Sequence, residues 1–214
     1  TPEAAASVRE QLRRLKWGRA HLPPSVQGTV VAPGFHGGAT WSGASFDPET
    51  GYLFVNTNDV PYVSVLRRNA AGGYDFGGYT YFNDHEGYPA MRPPWGWLNA
   101  VDLAKGTIAW RVPFGAYPEL EAKGQKGLGA QSFGGTIVTA GGLVVVAGTP
   151  DEKIRAYDKR TGKLLWEHRL PAGGYATPCT YMVDGKQYIV IAAGGGGKLG
   201  TRSGRSYVAF ALPE

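Results

Sequence analysis

Two segments of this chain repeat the same corner at the same spacing. In each, a strand-like run ends in Ala-x-Asp, a glycine follows four residues after the aspartate, and a tryptophan follows four residues after the glycine. The second copy lies 56 positions after the first, as positions 102 and 158 show. A fixed period of about 20–50 residues is typical of solenoids and propellers, in which one repeat cannot bury its apolar face alone. The two copies are Ala100-Val101-Asp102 with Gly106 and Trp110, and Ala156-Tyr157-Asp158 with Gly162 and Trp166.

The chemistry of the corner predicts a tight turn between two strands. An aspartate side chain accepts hydrogen bonds from nearby backbone N–H groups, and glycine adopts a positive φ at no steric cost. The tryptophan then has one place to pack, and we expect both copies to be largely buried between neighbouring sheets. A partial third copy at Tyr207 to Leu212 contains no Gly-x-x-x-Trp, and Asp47 to Gly51 repeats the spacing with Val55 at the tryptophan position. We interpret Asp47 to Gly51 as a hairpin turn.

The other strand-like runs predict an all-β fold made of β-propeller blades. Apolar runs separated by glycine- and aspartate-containing turns indicate hairpins at 38–46 with 52–56, at 134–139 with 143–147, and at 176–183 with 186–193. Four-stranded sheets arranged radially define a propeller, and a strand from elsewhere commonly completes the last blade. Here Gly28 to Ala32 is a candidate for that strand. We predict an N-terminal helix and linker at 1–27 and a partial propeller at 28–214, with blades at about 37–112, 134–168 and 176–212 and an insertion at 59–96.

About three four-stranded antiparallel blades cannot close a ring. Such an array leaves sheet edges and apolar faces without a neighbour, which recruit partners or aggregate. The sequence therefore predicts that the chain associates with itself or pairs with a separate chain that carries further blades.

Composition agrees with many short strands and excludes several classes of function. The 33 glycines among 214 residues are about twice the usual share. Because Cys179 is the single cysteine, there is no disulfide framework, haem-attachment motif or zinc pattern. We find no signal peptide and no apolar run long enough to span a membrane. Thr1 followed by Pro2 predicts a capped helix. Five basic residues lie on or near this helix, namely Arg9, Arg13, Arg14, Lys16 and Arg19. Because they do not form a nucleic-acid reader motif, we predict no nucleic-acid partner.

Three longer stretches carry motifs that point to one family. They are residues 41–56, residues 133–142, and residues 170–178 together with 185–188. In this order they resemble the carboxy-terminal part of the pyrroloquinoline quinone (PQQ)-dependent dehydrogenases, and most of all the membrane-type quinoprotein glucose dehydrogenases. The resemblance implies an eight-bladed propeller whose axis holds PQQ and a calcium ion. It also implies oxidation of a sugar or alcohol, with electrons passing to a quinone or a cytochrome.

The resemblance implies a cofactor-binding role for three elements of this chain. Asn56 matches an asparagine that hydrogen-bonds the polar edge of the quinone, for which an amide can donate to a carbonyl or carboxylate oxygen; alternatively, Asn56 closes a strand before a turn. Phe133 stands at a position that lines the quinone pocket, and the alternative is a core phenylalanine. Gly194, Gly195 and Gly196 match a loop that approaches the cofactor with its backbone. A phosphate-binding loop is disfavoured there, because Lys198 is followed by Leu199 instead of serine or threonine.

No residue of this chain matches the catalytic aspartate, the calcium ligands or the basic residue beside the reactive carbonyl in that family. We therefore predict no catalytic residue and no metal ligand here, and a chain that is inactive alone. The resemblance implies a periplasmic location, or a membrane-associated one that faces the periplasm. The alternative function is a non-catalytic propeller that acts as a protein-interaction scaffold, since fold does not imply function; a scaffold would have no reason to keep Asn56, Phe133 and the glycine loop together.

Overall fold

Antiparallel strands make up most of the chain in the computed structural model, which describes residues 1–212. One helix of eleven residues begins the chain, and its cap forms as predicted, because Thr1 Oγ1 accepts a hydrogen bond from the Ala4 N–H at 3.1 Å. The elements in chain order are α1 (Pro2–Leu12), β1 (Thr29–Val31), β2 (Ser45–Asp47), β3 (Tyr52–Asn58), β4 (Tyr62–Arg68), β5 (Tyr74–Tyr81), β6 (Gly96–Asp102), β7 (Thr107–Pro113), α2 (Pro118–Ala122), β8 (Thr136–Val138), β9 (Leu143–Val146), β10 (Lys153–Asp158), β11 (Leu164–Arg169), β12 (Cys179–Val183), β13 (Lys186–Ala193) and β14 (Ser206–Ala211), with a short 3₁₀ turn at Gly197–Leu199.

The chain divides into two compact units. The first combines Thr1–Gly38 with Asp59–Trp95, and the second combines residues 39–58 with the chain from residue 96 onward. In the first unit, strands β1, β4 and β5 form an antiparallel sheet in which Thr29 lies opposite Ser64. The strand proposed at Gly28 to Ala32 therefore does not complete the last blade, and that suggestion is wrong. Its partner is β4, and Thr29 is fully buried, with its hydroxyl group bonded to Ser25 Oγ at 3.1 Å.

The second unit contains three antiparallel sheets, which confirms the predicted fold class. Their strand orders are β2-β3-β6-β7, β11-β10-β9-β8 and β12-β13-β14. One apolar cluster packs the first sheet on the second, with Phe54, Leu98 and Phe114 against Val144 and Val146. A second cluster packs the second sheet on the third, and it contains Val145, Ile154, Leu170, Ile191 and Ala193. Residues on opposite faces of the second sheet thus serve two interfaces, as alternation along strands requires.

The repeated corner is built alike in both copies. Asp102 Oδ1 accepts from the N–H groups of the second and third residues after it, at 3.1 Å each, and Asp158 Oδ1 does the same at 3.1 and 2.8 Å. The glycines that follow have φ values of 66° and 71°. Each copy also shifts its register once, between Ala100 and Val101 and between Ala156 and Tyr157. The period therefore predicts the local backbone as well as the fold class.

The two tryptophans differ in burial. Trp110 packs on the first apolar cluster and donates from Nε1 to the Lys159 carbonyl oxygen at 3.0 Å, so it bridges the first sheet to the corner of the second. Trp166 is 41% exposed, although its ring meets Phe210 of β14 edge-on at a centroid distance of 5.0 Å. The expectation that Trp166 is largely buried is therefore wrong. Within residues 1–212, the ring of Trp166 meets His168 and Phe210, whereas the ring of Trp110 lies against the Gly162 corner.

Candidate functional site

Asn56 lies near the end of β3 and is completely buried. Its side-chain nitrogen Nδ2 donates to Ser132 Oγ at 2.7 Å and to the Gly134 carbonyl oxygen at 2.9 Å. Its side-chain oxygen Oδ1 has no hydrogen-bond partner among the described residues 1–212. A buried polar atom without a partner costs free energy, and in a native protein it usually marks a place for water, an ion or a ligand.

Phe133 lies in sequence between Ser132 and Gly134, the two residues that accept hydrogen bonds from this amide, and is 7% exposed. Its ring stacks on Trp41 with a centroid distance of 5.2 Å and an interplanar angle of 27°, and Trp41 itself is 70% exposed. The Ser42 hydroxyl group donates to the Phe133 carbonyl oxygen, and Thr40 Oγ1 donates to the carbonyl oxygen of Gly134 at 3.2 Å. The segments 40–42 and 133–134 are thereby tied together, and they carry a stacked aromatic pair in the segment whose Gly134 bonds to Asn56.

Glycine is required at 134 and 135 because the backbone runs between close neighbours. A Cβ on Gly134 would lie 2.2 Å from the Ala147 carbonyl oxygen, and one on Gly135 would lie 2.4 Å from the Ser42 carbonyl oxygen. Distances below 3.0 Å are not tolerated without movement, here of backbone atoms. The two glycines are therefore explained by their close contacts with the Ala147 and Ser42 backbone, independently of any ligand.

The glycine loop has its own set of contacts. The Gly195 N–H donates to the Gly173 carbonyl oxygen at 2.8 Å, and the Gly204 N–H donates to the Gly194 carbonyl oxygen at 2.6 Å. Gly195 has φ +55°, and a Cβ there would lie 1.8 Å from the Arg202 carbonyl oxygen. Gly196 has φ +67°, which also favours glycine. Packing and φ explain glycine at 195 and 196, whereas a Cβ on Gly194 would meet nothing within 4 Å. Asn56 bonds to Ser132 and Gly134, the two residues that flank Phe133. The cofactor role of Gly194, Gly195 and Gly196 stays a prediction.

Two residues of this site were missed by sequence reasoning. Ser132 and Asn58 join Asn56 in one buried hydrogen-bond network. A signal for Asn58 was available, because residues two apart on a strand share a face. No comparable signal existed for Ser132, whose partners lie more than 70 residues away in sequence.

The buried charges of the second unit are satisfied within the protein. Arg155 donates to Asp151 and to Thr149 Oγ1, and its Nε lies 3.2 Å from Glu167 Oε2. Burial lowers the pKa of Arg155, but the hydrogen bond with Asp151 outweighs it, so the pKa is raised. Burial likewise raises the pKa of the neighbouring Tyr157 to about 12. Arg155 thus pairs with Asp151, Thr149 and Glu167, and we infer that these residues stabilise the fold.

The described residues 1–212 contain no group of three or more His, Cys, Asp or Glu side chains placed to hold a metal ion. Within the same range, no helix is long and apolar enough to cross a membrane.

Comparison with known proteins gives one consistent family. The family model described as "Glucose/ethanol/alcohol dehydrogenase, beta-propeller domain", abbreviated PQQ, matches residues 1–189. The chain is 38% identical to quinoprotein glucose dehydrogenase A of Acinetobacter calcoaceticus and 36% identical to quinoprotein glucose dehydrogenase of Escherichia coli, in each case over 96% of this chain and 29% of the relative. Among solved structures, a europium-containing methanol dehydrogenase matches 94% of this chain and 30% of its own with a TM-score of 0.60 and 27% identity. The chain thus spans less than a third of the length of these relatives.

Proposed function

Because the chain belongs to the β-propeller family of the PQQ-dependent glucose, ethanol and alcohol dehydrogenases, we propose that it is the carboxy-terminal portion of such an enzyme. The proposed substrate is a glucose-like sugar or an alcohol, and this chain contributes part of the wall that binds the quinone. The observation that carries the proposal is the unpartnered, fully buried Oδ1 of Asn56, whose amide nitrogen is bonded to the two residues that flank Phe133. An apolar surface with a few placed polar groups is what cofactor sites present.

The residues around Asn56 fit PQQ, which is a planar, polar-edged ring system. PQQ, when bound, supplies the two-electron oxidising power that such dehydrogenases use. Asn56 would orient the cofactor by accepting a hydrogen bond at Oδ1 from an N–H group of the ring system, and Phe133 with Trp41 would exclude water from one side. We assign no catalytic base and no calcium ligand to this chain, and we propose that it does not turn over substrate alone.

Titration of the chain with PQQ in the presence of calcium tests this proposal. Because the chain supplies only part of the enclosing surface, we expect saturable but weak binding by calorimetry, with a dissociation constant above about 10 μM. Asn56→Leu should weaken binding further. Asn99→Leu is the matched control, since Asn99 is also buried on a strand of this unit but donates to the Val55 carbonyl oxygen and Thr57 Oγ1 instead.

Two results would contradict the proposal in different ways. Tight stoichiometric binding would mean that the chain encloses the cofactor by itself, and the partial-wall argument would fail. Loss of binding in Asn99→Leu equal to that in Asn56→Leu would mean that Asn56 acts only through the fold.

We also propose that the complete enzyme passes electrons to a quinone or a cytochrome and works in the periplasm or at a membrane that faces it. One relative, at 34% identity, is named a probable quinate dehydrogenase (quinone), which supports quinone as the acceptor. The test is to assay the complete enzyme with a soluble ubiquinone analogue and with cytochrome c. Reduction of neither acceptor would contradict this assignment.

We propose further that the outer faces of the sheet stack bind additional blades. On the first sheet, Phe46, Leu53, Val101 and Ile108 lie side by side across all four strands. Phe46 is 51% exposed and Ile108 is 54% exposed. An apolar row of this kind requires cover, because large exposed apolar patches are unusual in monomers.

The third sheet has a similar uncovered face. Tyr181 and Tyr188 are cross-strand partners that stack at 5.3 Å, and Tyr207 on β14 is 83% exposed. We therefore expect the chain to associate with itself or with a chain that carries further blades. Light scattering at micromolar concentration tests this; a monomer that does not associate over that range would contradict it.

A further inference from the structure

The orientation of the Asn56 amide is fixed by its surroundings. The Gly134 carbonyl oxygen, which can only accept, lies 2.9 Å from the amide nitrogen. If the amide were turned by 180°, two carbonyl oxygens would face each other in a fully buried place. Gly134 thus requires Nδ2 on its side and places Oδ1 away from it.

A second fixed point reaches the same amide through Ser132. Asn58 Nδ2 donates to the Ser132 carbonyl oxygen at 2.9 Å, and the Ser132 N–H donates to Asn58 Oδ1 at 2.8 Å. Since a backbone N–H only donates and a carbonyl only accepts, the Asn58 amide has one possible orientation. The Ser132 hydroxyl group then donates to Asn58 Oδ1 at 3.3 Å, which leaves its lone pairs to accept from Asn56 Nδ2 at 2.7 Å.

Both N–H groups of Asn56 are therefore occupied within the protein. Asn56, Asn58 and Ser132 are each at most 4% exposed, so water does not compete with these bonds. A buried network in which each donor has an acceptor holds its members rigidly. The one atom left over is Asn56 Oδ1.

We propose that Ser132 and Asn58 are positioning residues that lock Asn56, so that a bound ligand meets only its carbonyl oxygen and must offer an N–H or O–H group there. The identity of the ligand in this proposal rests on the proposed function. It also reverses the role expected from sequence, in which the amide donates to an oxygen of the quinone. The lock itself is a property of this chain and can be measured without any ligand.

The first experiment is NMR of the ¹⁵N,¹³C-labelled chain. We expect both side-chain amide protons of Asn56 to exchange with water far more slowly than those of the exposed Gln125, and a scalar coupling across the hydrogen bond from Nδ2 to the Gly134 carbonyl carbon. Exchange as fast as that of Gln125, or absence of the coupling in a folded chain, would overturn the lock. This measurement needs no substitution, so it does not depend on a variant that folds.

The second experiment compares PQQ binding by variants. Ser132→Ala removes the hydroxyl group that holds Asn56, and we expect the dissociation constant to rise about fivefold. Ser132→Thr retains a hydroxyl group and should stay within about twofold of the unsubstituted chain. Ser64→Ala is the matched control, because Ser64 is a fully buried serine in the other unit whose hydroxyl group has no partner among residues 1–212.

Non-additivity separates positioning from a general loss of structure. In the Asn56→Leu background, Ser132→Ala should cause no further change in the dissociation constant, because Ser132 acts through Asn56. Equal PQQ affinity of Ser132→Ala and the unsubstituted chain would overturn this inference and leave the proposed function standing. Absence of any PQQ binding would refute the proposed function, while the NMR result still decides whether the amide is locked.

Discussion

The two corner glycines offer a matched pair of substitutions that measures the contact between the first two sheets. Gly106 and Gly162 occupy the same place in the repeat and have φ values of +66° and +71°. A Cβ on Gly106 would meet nothing within 4 Å, whereas one on Gly162 would lie 2.6 Å from Trp110 Cε3. The two alanine substitutions therefore differ in one respect, which is that the new Cβ atom at position 162 collides with the Trp110 ring.

The expected magnitudes follow from these distances. Alanine at positive φ costs about 1–2 kcal/mol in either corner. At Gly162 the ring of Trp110 must also move, and overpacking of this kind costs a further ~1–3 kcal/mol. Movement of the ring strains the hydrogen bond from Trp110 Nε1 to the Lys159 carbonyl oxygen. We expect Gly162→Ala to destabilise the chain by about 2–5 kcal/mol and Gly106→Ala by about 1–2 kcal/mol.

Urea unfolding followed by circular dichroism gives both free energies, provided that the slope with denaturant is unchanged. The decisive variant is Gly162→Ala in a Trp110→Ala background, in which the excess cost over Gly106→Ala should disappear. Equal costs for the two glycine substitutions would refute the argument. So would an excess at Gly162 that persists without the Trp110 ring.

Three further predictions follow from the same structure. Trp110→Ala should lower the free energy of unfolding by about 3 kcal/mol, because the ring and its hydrogen bond are lost. Trp166→Ala should lower it by about 1–2 kcal/mol, because that ring is 41% exposed. Equal urea midpoints for the two variants would contradict this. Burial raises the pKa of Asp47, but its hydrogen bonds, including one from Lys159, lower the pKa by more, so that it lies below the ordinary value of 3.8. The stability that this carboxylate contributes above pH 3.8 should be lost as the pH falls through the lowered pKa. Urea titrations at acid pH should show a smaller loss of stability for Asp47→Asn. Because burial raises the pKa of Tyr157 from 10.0 to about 12, stability present below pH 10 should be lost as the pH rises towards 12, and an unchanged alkaline transition in Tyr157→Phe would contradict the assignment.

Local rules were sufficient to predict the repeated corner and the three hairpins from sequence. Aspartate, glycine and the register shift all act within a few residues, and these appear in the structure where the period of 56 places them. The burial of Trp166 was not predictable in this way, because it depends on the sheet that follows. Nor was the partner of Thr29–Val31, since β4 lies in the insertion, and a three-residue strand carries no signal for its neighbour.

The cofactor role of Asn56 and Phe133 stays a prediction from the resemblance. The structure shows that the Asn56 amide bonds to Ser132 and Gly134, the two residues that flank Phe133. The resemblance did not indicate which end of the amide is available. That depends on the Ser132 hydroxyl group and the Gly134 carbonyl oxygen, 76 and 78 positions away in sequence, whose direction only the folded chain fixes.

The same pair of sheets carries the blade contact and the candidate site, at two places along one strand. Before β3 begins, Asp47 pairs with Lys159, whose carbonyl oxygen accepts from Trp110. Four residues after the start of β3, about 13 Å along it, the Asn56 amide bonds to Gly134. Between them, Thr136 Oγ1 donates to the Phe54 carbonyl oxygen at 3.0 Å and keeps the two sheets in register. Since Asn56 is held by the Ser132 hydroxyl group and the Gly134 carbonyl oxygen, which lie just before β8 of the second sheet, its orientation depends on this register. The Trp110 corner and the Asn56 amide are therefore two points of one contact between the first sheet and the segment that forms the second, with the Thr136 bond between them.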